Sequence, residues 1–422
     1  MIAPQYLVSG GKRSDIRSLS EMANKLALEI GRENVFDFTL GNPSTPPPQE
    51  VEDAIVDIVT NTKDLVDVHG YSNNAGLDSC RQAIAESFNR RFGRQLSKAN
   101  FMLTTGASTA LHIVSKALHI DENSEIMVIA PFFPGYYPMV FSAGNKMVIV
   151  PADTEHFQIN FEEMEARLTP HTQAVIINSP NNPSGVIYGE ETIKKLAALL
   201  KKKSAEFGHA IYIVCDEPYR ELVYTDDIVP YIPAYYNNTI ICYSYSKSLS
   251  LPGERIGFIA TDNNIDDFND VWAGLRGASG DLANVCAPTL FQMVVERCVD
   301  VAPNIADYVH NRQILREAFG KIGYTFADPS GAFYLFFKAP FGITAEEFMD
   351  LAIEHHVFVV PAGSFGCPEW LRLSFCVSRQ TVEDSIPLFA KLYDEAKTLT
   401  EKSNTTRSHV SVTLRQAPTT GG

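Results

Sequence analysis

No stretch of this sequence approaches 18 consecutive apolar residues, so no transmembrane helix is expected. The opening "MIAPQYLVSGGKRSDIRSLSEMANKLALEIG" lacks the uninterrupted apolar core of a signal peptide. No G-x-G-x-x-G follows a strand-like run, which argues against a dinucleotide-binding dehydrogenase. Ahead of Arg17 there is no room for a DNA-binding domain of ~60 residues, so a transcriptional regulator is not expected either. Basic residues are in deficit: 35 Lys and Arg face 50 Asp and Glu, a formal net charge of −15. That balance excludes a general binder of nucleic acid or anionic membrane. Cysteines number seven, an odd count with no C-x-x-C pair, and several sit inside apolar runs such as "YIVCDEP". They read as reduced cysteines of a cytoplasmic protein, not as a disulfide frame or a zinc site, and no metal site is expected.

What is present is ordinary in bulk and informative in order. With 422 residues, 45% apolar and 20% charged, the chain can bury a large core in two lobes. Short apolar runs ("FMLTT", "EIMVIAPF", "KMVIVPAD", "QAVIINSP", "AIYIVCDEP", "TIICYSYS", "RIGFIAT") alternate with helical patterns such as "EETIKKLAALLKKKSAEFG". β-branched runs separated by helices predict a largely parallel sheet of seven strands, covered on both faces: an α/β domain. After about residue 287 a long helical pattern, interrupted at Pro303, leads to the strand-like "GAFYLFFKA", "VFVVPAG" and "WLRLSFCV" and a closing helix, an α+β lobe. The expected division is an N-terminal arm with part of the small domain (1–46), a large domain (47–290), a small domain (291–400) and a flexible tail (401–422).

In open α/β sheets ligands sit at the carboxyl ends of the strands. There, Gly106, Ala107 and Ser108 start a helix directly after "FMLTT", leaving backbone N–H groups for an anion. An ordinary Ser/Thr N-cap would look the same. An aromatic cluster, "APFFPGYYPM", follows "EIMVI"; it can cover a flat ring or simply pack. "NSPNNPSG" holds a rigid turn that can point an amide at a ligand. Asp216 ends an apolar strand, where an unpaired carboxylate is costly; it is either a helix N-cap or the partner of a cation. Tyr219 follows three residues on. Finally, "YSYSKSLSLPGERIGF" puts Lys247 at the end of a buried strand and Arg255 on a Pro-Gly turn. Together these suit a phosphorylated aromatic aldehyde that a lysine can bind as a Schiff base, namely pyridoxal 5′-phosphate.

With "NNPSG", "DEPY" and "SYSKSLSLPGERIG" in this order, residues 15–398 resemble the fold type I, class I/II aminotransferases of the aspartate aminotransferase superfamily. The resemblance implies that Lys247 carries the cofactor as an aldimine and moves the substrate proton. It implies that Asp216 pairs with the ring nitrogen, and that Asn182 and Tyr219 bond the phenolic oxygen. Ala107, Ser108, Ser244 and Arg255 take the phosphate, Gly106 shapes that turn, and Phe133 stacks on the ring. Arg372, in "WLRLSF", becomes the clamp on the substrate α-carboxylate, beside Gly41 and Asn182. Tyr71 reaches the phosphate of the neighbouring subunit, which implies a homodimer with shared sites. The departures are Ser184 for the usual Thr, Phe133 for a polar-edged aromatic, and Glu254 inside "PGERIG".

The expected reaction moves an amino group between an L-amino acid and a 2-oxo acid. The alternative on the same fold is a C–S β-lyase or an aminocyclopropane-carboxylate-synthase-like elimination enzyme, to which "SLSLPGERIG" is also similar. Phe132, Tyr136, Tyr334 and Phe365 form a candidate side-chain pocket suited to apolar or aromatic substrates, or equally are core.

Overall fold

The computed structural model describes residues 15–414 together with Ile2, Leu7 and Gly10, and only the backbone over 403–414. The chain divides into two compact units. The larger is Asn42–Val309 with Asp328–Tyr334; the smaller is the described part of Met1–Gly41, His310–Ala327 and Leu335–Gly422.

The larger unit is built on seven strands: β1 (Phe101–Thr104), β2 (Glu125–Ile129), β3 (Lys146–Val150), β4 (Thr172–Asn178), β5 (Tyr212–Asp216), β6 (Thr239–Ser244) and β7 (Gly257–Thr261). Their order across the sheet is β1-β7-β6-β5-β4-β2-β3. All pairings are parallel except those of β7, which runs antiparallel to both β1 and β6. The continuous apolar runs follow from burial on both faces. Met127 and Ile129 of β2, Ile213 and Cys215 of β5, and Ile241 and Tyr243 of β6 enter one core cluster. The alternate residues Ile126, Val128, Val214, Ile240 and Cys242 enter the other. Each Val or Ile so buried contributes about 1.5–3 kcal/mol.

The helix Thr289–Cys298 belongs to this larger unit, not to the small domain expected from residue 291. Its Val294, Val295 and Cys298 join Val51, Ala54 and Ile58 of the helix Gln49–Asn61 and Ile84 and Phe88 of the helix Asp78–Phe92. Helical periodicity shows that such a stripe is apolar but not what it packs against. The segment 328–334 also returns to the larger unit, where Ala332 N–H donates to the Leu222 carbonyl at 3.0 Å.

In the smaller unit, Phe36–Asp37 pairs in parallel with Val357–Phe358. A four-stranded sheet orders Val360–Pro361, Trp370–Ser374, Tyr334–Lys338 and Phe326–Ala327. Rings of Phe319, Tyr324, Phe337, Phe348 and Phe389 pack edge-on or tilted in its core. The final helix runs Arg379–Leu414, so the segment expected as a tail from 401 is helical as far as described; 415–422 lie outside the described residues. Adding a turn to an existing helix costs far less than nucleating one, which lets it run past its apolar stripe. Among the described residues no helix is long and apolar enough to cross a membrane.

Candidate active site

Sheet register assembles the first half of the site. Gly257 of β7 lies opposite Thr104 of β1 on one side and Ser244 of β6 on the other. This sets the start of the helix Ala107–Ala117, the turn carrying Arg255 and the Ser244 side chain side by side. Gly106 precedes that helix with φ +93°, and a Cβ there would lie 2.7 Å from Arg255 Nη2. A Cβ on Gly257 would lie 2.2 Å from the Tyr243 carbonyl oxygen and 2.9 Å from Gly106 Cα. Gly257 is therefore demanded by close approach of backbone, and Gly106 by its left-handed φ. Arg255 is exposed and donates to the Pro252 carbonyl at 2.9 Å and the Thr105 carbonyl at 3.2 Å. Ala107 is buried and Ser108 exposed. Backbone N–H groups at a helix start, two serines and a guanidinium form a natural anion cradle.

The second half lies at the ends of β4, β5 and β6, where Asn178 is paired with Asp216 and Asp216 with Cys242. Asp216 is buried, and Tyr136 Oη donates to its Oδ2 at 2.6 Å. Burial pushes its carboxyl up to about 7, the Tyr136 hydrogen bond opposes this, and the charge of Glu217 adds to it. Asn178 Nδ2 donates to the Asp216 carbonyl at 2.8 Å, while Asn178 Oδ1 accepts from the Asn182 N–H at 2.6 Å. The hydroxyls of Tyr219 and Tyr334 are 2.8 Å apart. Glu217 and Arg220 form a buried bidentate pair at 2.6 and 2.7 Å. Phe133 is half-buried and meets Tyr136 edge to face at 5.8 Å.

Lys247 lies on the four-residue helix Tyr245–Ser248 that directly continues β6. Ser244 caps that helix by accepting from the Ser246 N–H at 3.2 Å. The Lys247 ammonium is 5.4 Å from the centroid of the Phe333 ring. The Ser248 and Tyr243 hydroxyls are hydrogen-bonded at 2.9 Å, so the serines flanking Lys247 hold its helix in place.

In the smaller unit, Arg372 is buried on Trp370–Ser374, 5.2 Å from the Phe365 ring centroid. It donates through Nη2 to the carbonyl of Thr39, two residues before Gly41. Tyr71, in the larger unit, is 90% exposed and borders an open depression with Thr105, Ser108, Thr109 and His112.

Of the four aromatics expected as a side-chain pocket or as core, all are buried. Phe132 packs on Tyr136 in the core at 6.5 Å, and the Tyr136 and Tyr334 hydroxyls are engaged by Asp216 and Tyr219. Phe365 lies in the smaller unit against Arg372. Sequence reasoning missed Asn178, Phe333 and the Glu217–Arg220 pair. The pair had a signal: opposite charges three residues apart, directly after a buried strand. Nothing in the structure explains Glu254.

Residues 33–386 match the family described as aminotransferase class I and II. An aspartate aminotransferase from Thermotoga maritima is 29% identical over 359 residues, covering 84% of this chain and 90% of its own length. An enzyme named aromatic-amino-acid aminotransferase 2, from Thermococcus litoralis, is 27% identical over 404 residues, covering 91% and 96%. Among solved structures, an amino transferase from Eubacterium rectale superposes with a TM-score of 0.91 at 46% identity, over 94% of this chain and 99% of that one. This chain belongs to the aminotransferase class I and II family and is an aminotransferase.

Proposed function

We propose that this aminotransferase works with pyridoxal 5′-phosphate, moving the amino group of an L-amino acid to a 2-oxo acid through Lys247. The observation that carries this reading is Asp216. A carboxyl buried at a strand end, with a hydroxyl as its only side-chain hydrogen-bond partner among the described residues, is suited to a cationic ring N–H. The cradle also fits a phosphate, because the start of the helix Ala107–Ala117 lies beside the Arg255 guanidinium. The residues present thus suit the cofactor.

When bound, pyridoxal phosphate supplies an aldehyde and an electron-withdrawing ring that stabilises charge at the substrate Cα. The N–H groups at Gly106–Ser108, with Ser108, Ser244 and Arg255, hold the phosphate. Asp216 holds the ring nitrogen, Asn182 and Tyr219 the phenolic oxygen, and Phe133 covers the ring. Lys247 would hold the aldehyde, and once the substrate amine has displaced it the freed Nζ would take the proton from the substrate Cα and return it. Arg372, beside Gly41, holds the substrate α-carboxylate in a bidentate pair.

The active form in this reading is a homodimer in which Tyr71 serves the neighbouring subunit's phosphate. Support comes from the exposure of Tyr71 (90%), Val66 (71%) and Val285 (53%), apolar surface that a second copy would cover. The free cysteines, six of them buried, support a reducing, cytoplasmic setting.

The test is to load the apoprotein with pyridoxal phosphate, reduce with borohydride and digest. The cofactor is expected on the Lys247 peptide, and nowhere in Lys247→Ala. Attachment at another lysine, or undiminished labelling of Lys247→Ala, would overturn the assignment.

A further inference from the structure

Tyr136 opens the helix Tyr136–Ser142 and is fully buried, packed among Val128, Phe132, Val140 and Ala174. A phenol in such surroundings needs a partner for its O–H. The fold delivers that O–H across 80 positions of sequence to Asp216 Oδ2, at 2.6 Å, a length typical of a charge-assisted bond. Among the described residues Oδ1 of the same carboxyl takes no hydrogen bond. The other titratable groups around this carboxyl do not do the same work. Glu217, next in the chain, is paired with Arg220, and its charge disfavours the ionised Asp216 carboxyl. Cys215 on β5 and Cys242 on β6 are held as thiols by burial. Tyr219 and Tyr188 only add to the forces that keep Tyr136 protonated, and burial keeps Tyr188 itself neutral. Lys247 follows the neighbouring strand. Asn178, on the β4 side, bonds the Asp216 backbone and not its carboxyl.

We infer that Tyr136 is a positioning residue for transamination: its hydroxyl anchors Asp216 Oδ2, favours the ionised carboxyl, and leaves Oδ1 for the protonated ring nitrogen of the cofactor. The inference rests on the reading of Asp216 given above. The phenol keeps its own proton throughout, since burial and the adjacent carboxyl both oppose its ionisation.

Tyr136→Phe removes one oxygen and leaves the ring. The first measurement uses apoprotein alone, unfolded by urea at several pH values from 5 to 9. The variant's loss of stability relative to wild type is expected to be small at pH 5, where Asp216 is protonated in both, and to grow above pH 7. In an Asp216→Asn background the same substitution should show no such growth. A loss that stays constant with pH would reduce Tyr136 to a packing residue and overturn the inference, whatever the cofactor. The second measurement titrates apoprotein with pyridoxal phosphate at pH 8, where Tyr136→Phe should raise the dissociation constant about tenfold or more. Equal affinity for wild type and variant would overturn the inference alone. Failure of wild type itself to bind would overturn the cofactor reading, and the inference with it.

Discussion

Asn178 and Asp216 face each other across β4 and β5, and the Asn178 side chain donates to the Asp216 carbonyl at 2.8 Å. The same amide accepts the Asn182 N–H at 2.6 Å, so one side chain ties a strand end to the turn beside it. Asn178→Ala would leave two buried backbone groups without partners, at about 1–3 kcal/mol each. A loss of about 3 kcal/mol in urea denaturation is expected, with weaker retention of pyridoxal phosphate. A loss below about 1 kcal/mol would show that water replaces the amide.

Gly257 sits at the meeting point of three strand ends, and backbone atoms are what its missing side chain leaves room for. Gly257→Ala would force the Tyr243 carbonyl and Gly106 apart, since the new Cβ would lie 2.2 Å from the former. Backbone cannot swing aside as a flexible side chain can, so a destabilisation of about 3 kcal/mol and poor phosphate-dependent cofactor binding are expected. Wild-type melting of Gly257→Ala would contradict the register described here.

The Glu217–Arg220 pair is almost fully buried, with side chains 3% and 4% exposed. Arg220 also donates to the carbonyls of Val229 and Pro230. Removing one partner strands the other charge, so Glu217→Gln should cost about 3–5 kcal/mol. A double-mutant cycle with Arg220→Met should recover much of that loss; strict additivity would mean the two charges are not coupled.

The Asp216 carboxyl, raised from its ordinary 3.8 to about 7, makes the apoprotein pH-sensitive in a definite direction. Between those values the folded state holds one proton more than the unfolded state. Stability contributed by this group is therefore full below pH 3.8, declines by about 1.4 kcal/mol per pH unit as pH rises towards 7, and levels off above. Comparison with Asp216→Asn isolates this slope from that of the histidines. Parallel pH profiles for the two proteins would disprove it.

The seven strands were legible because each is buried on both faces and reads as an unbroken apolar run. Lys247 and Asp216 stood out as candidates because a charge at the end of such a run has few structural uses. Residues 291–309 and 328–334 were not placed correctly, because an apolar stripe carries no address for the surface that covers it. Tyr136 was left open between a substrate pocket and the core for a related reason: its aromatic neighbours suggested apolar contact, while the acceptor of its hydroxyl lies 80 residues away.

By itself the sequence determined the chemistry available at each strand end: Lys247 after β6, Asp216 closing β5, Gly106 opening a helix after β1. These are local facts, set by strand propensity, turn residues and the cost of burying charge. Only the tertiary structure decided which ends lie side by side, because the order β1-β7-β6-β5-β4 comes from long-range pairing that no local pattern encodes. That pairing brings the Arg255 turn against Gly106, and the packing of the Tyr136 helix on the sheet brings a phenol to Asp216.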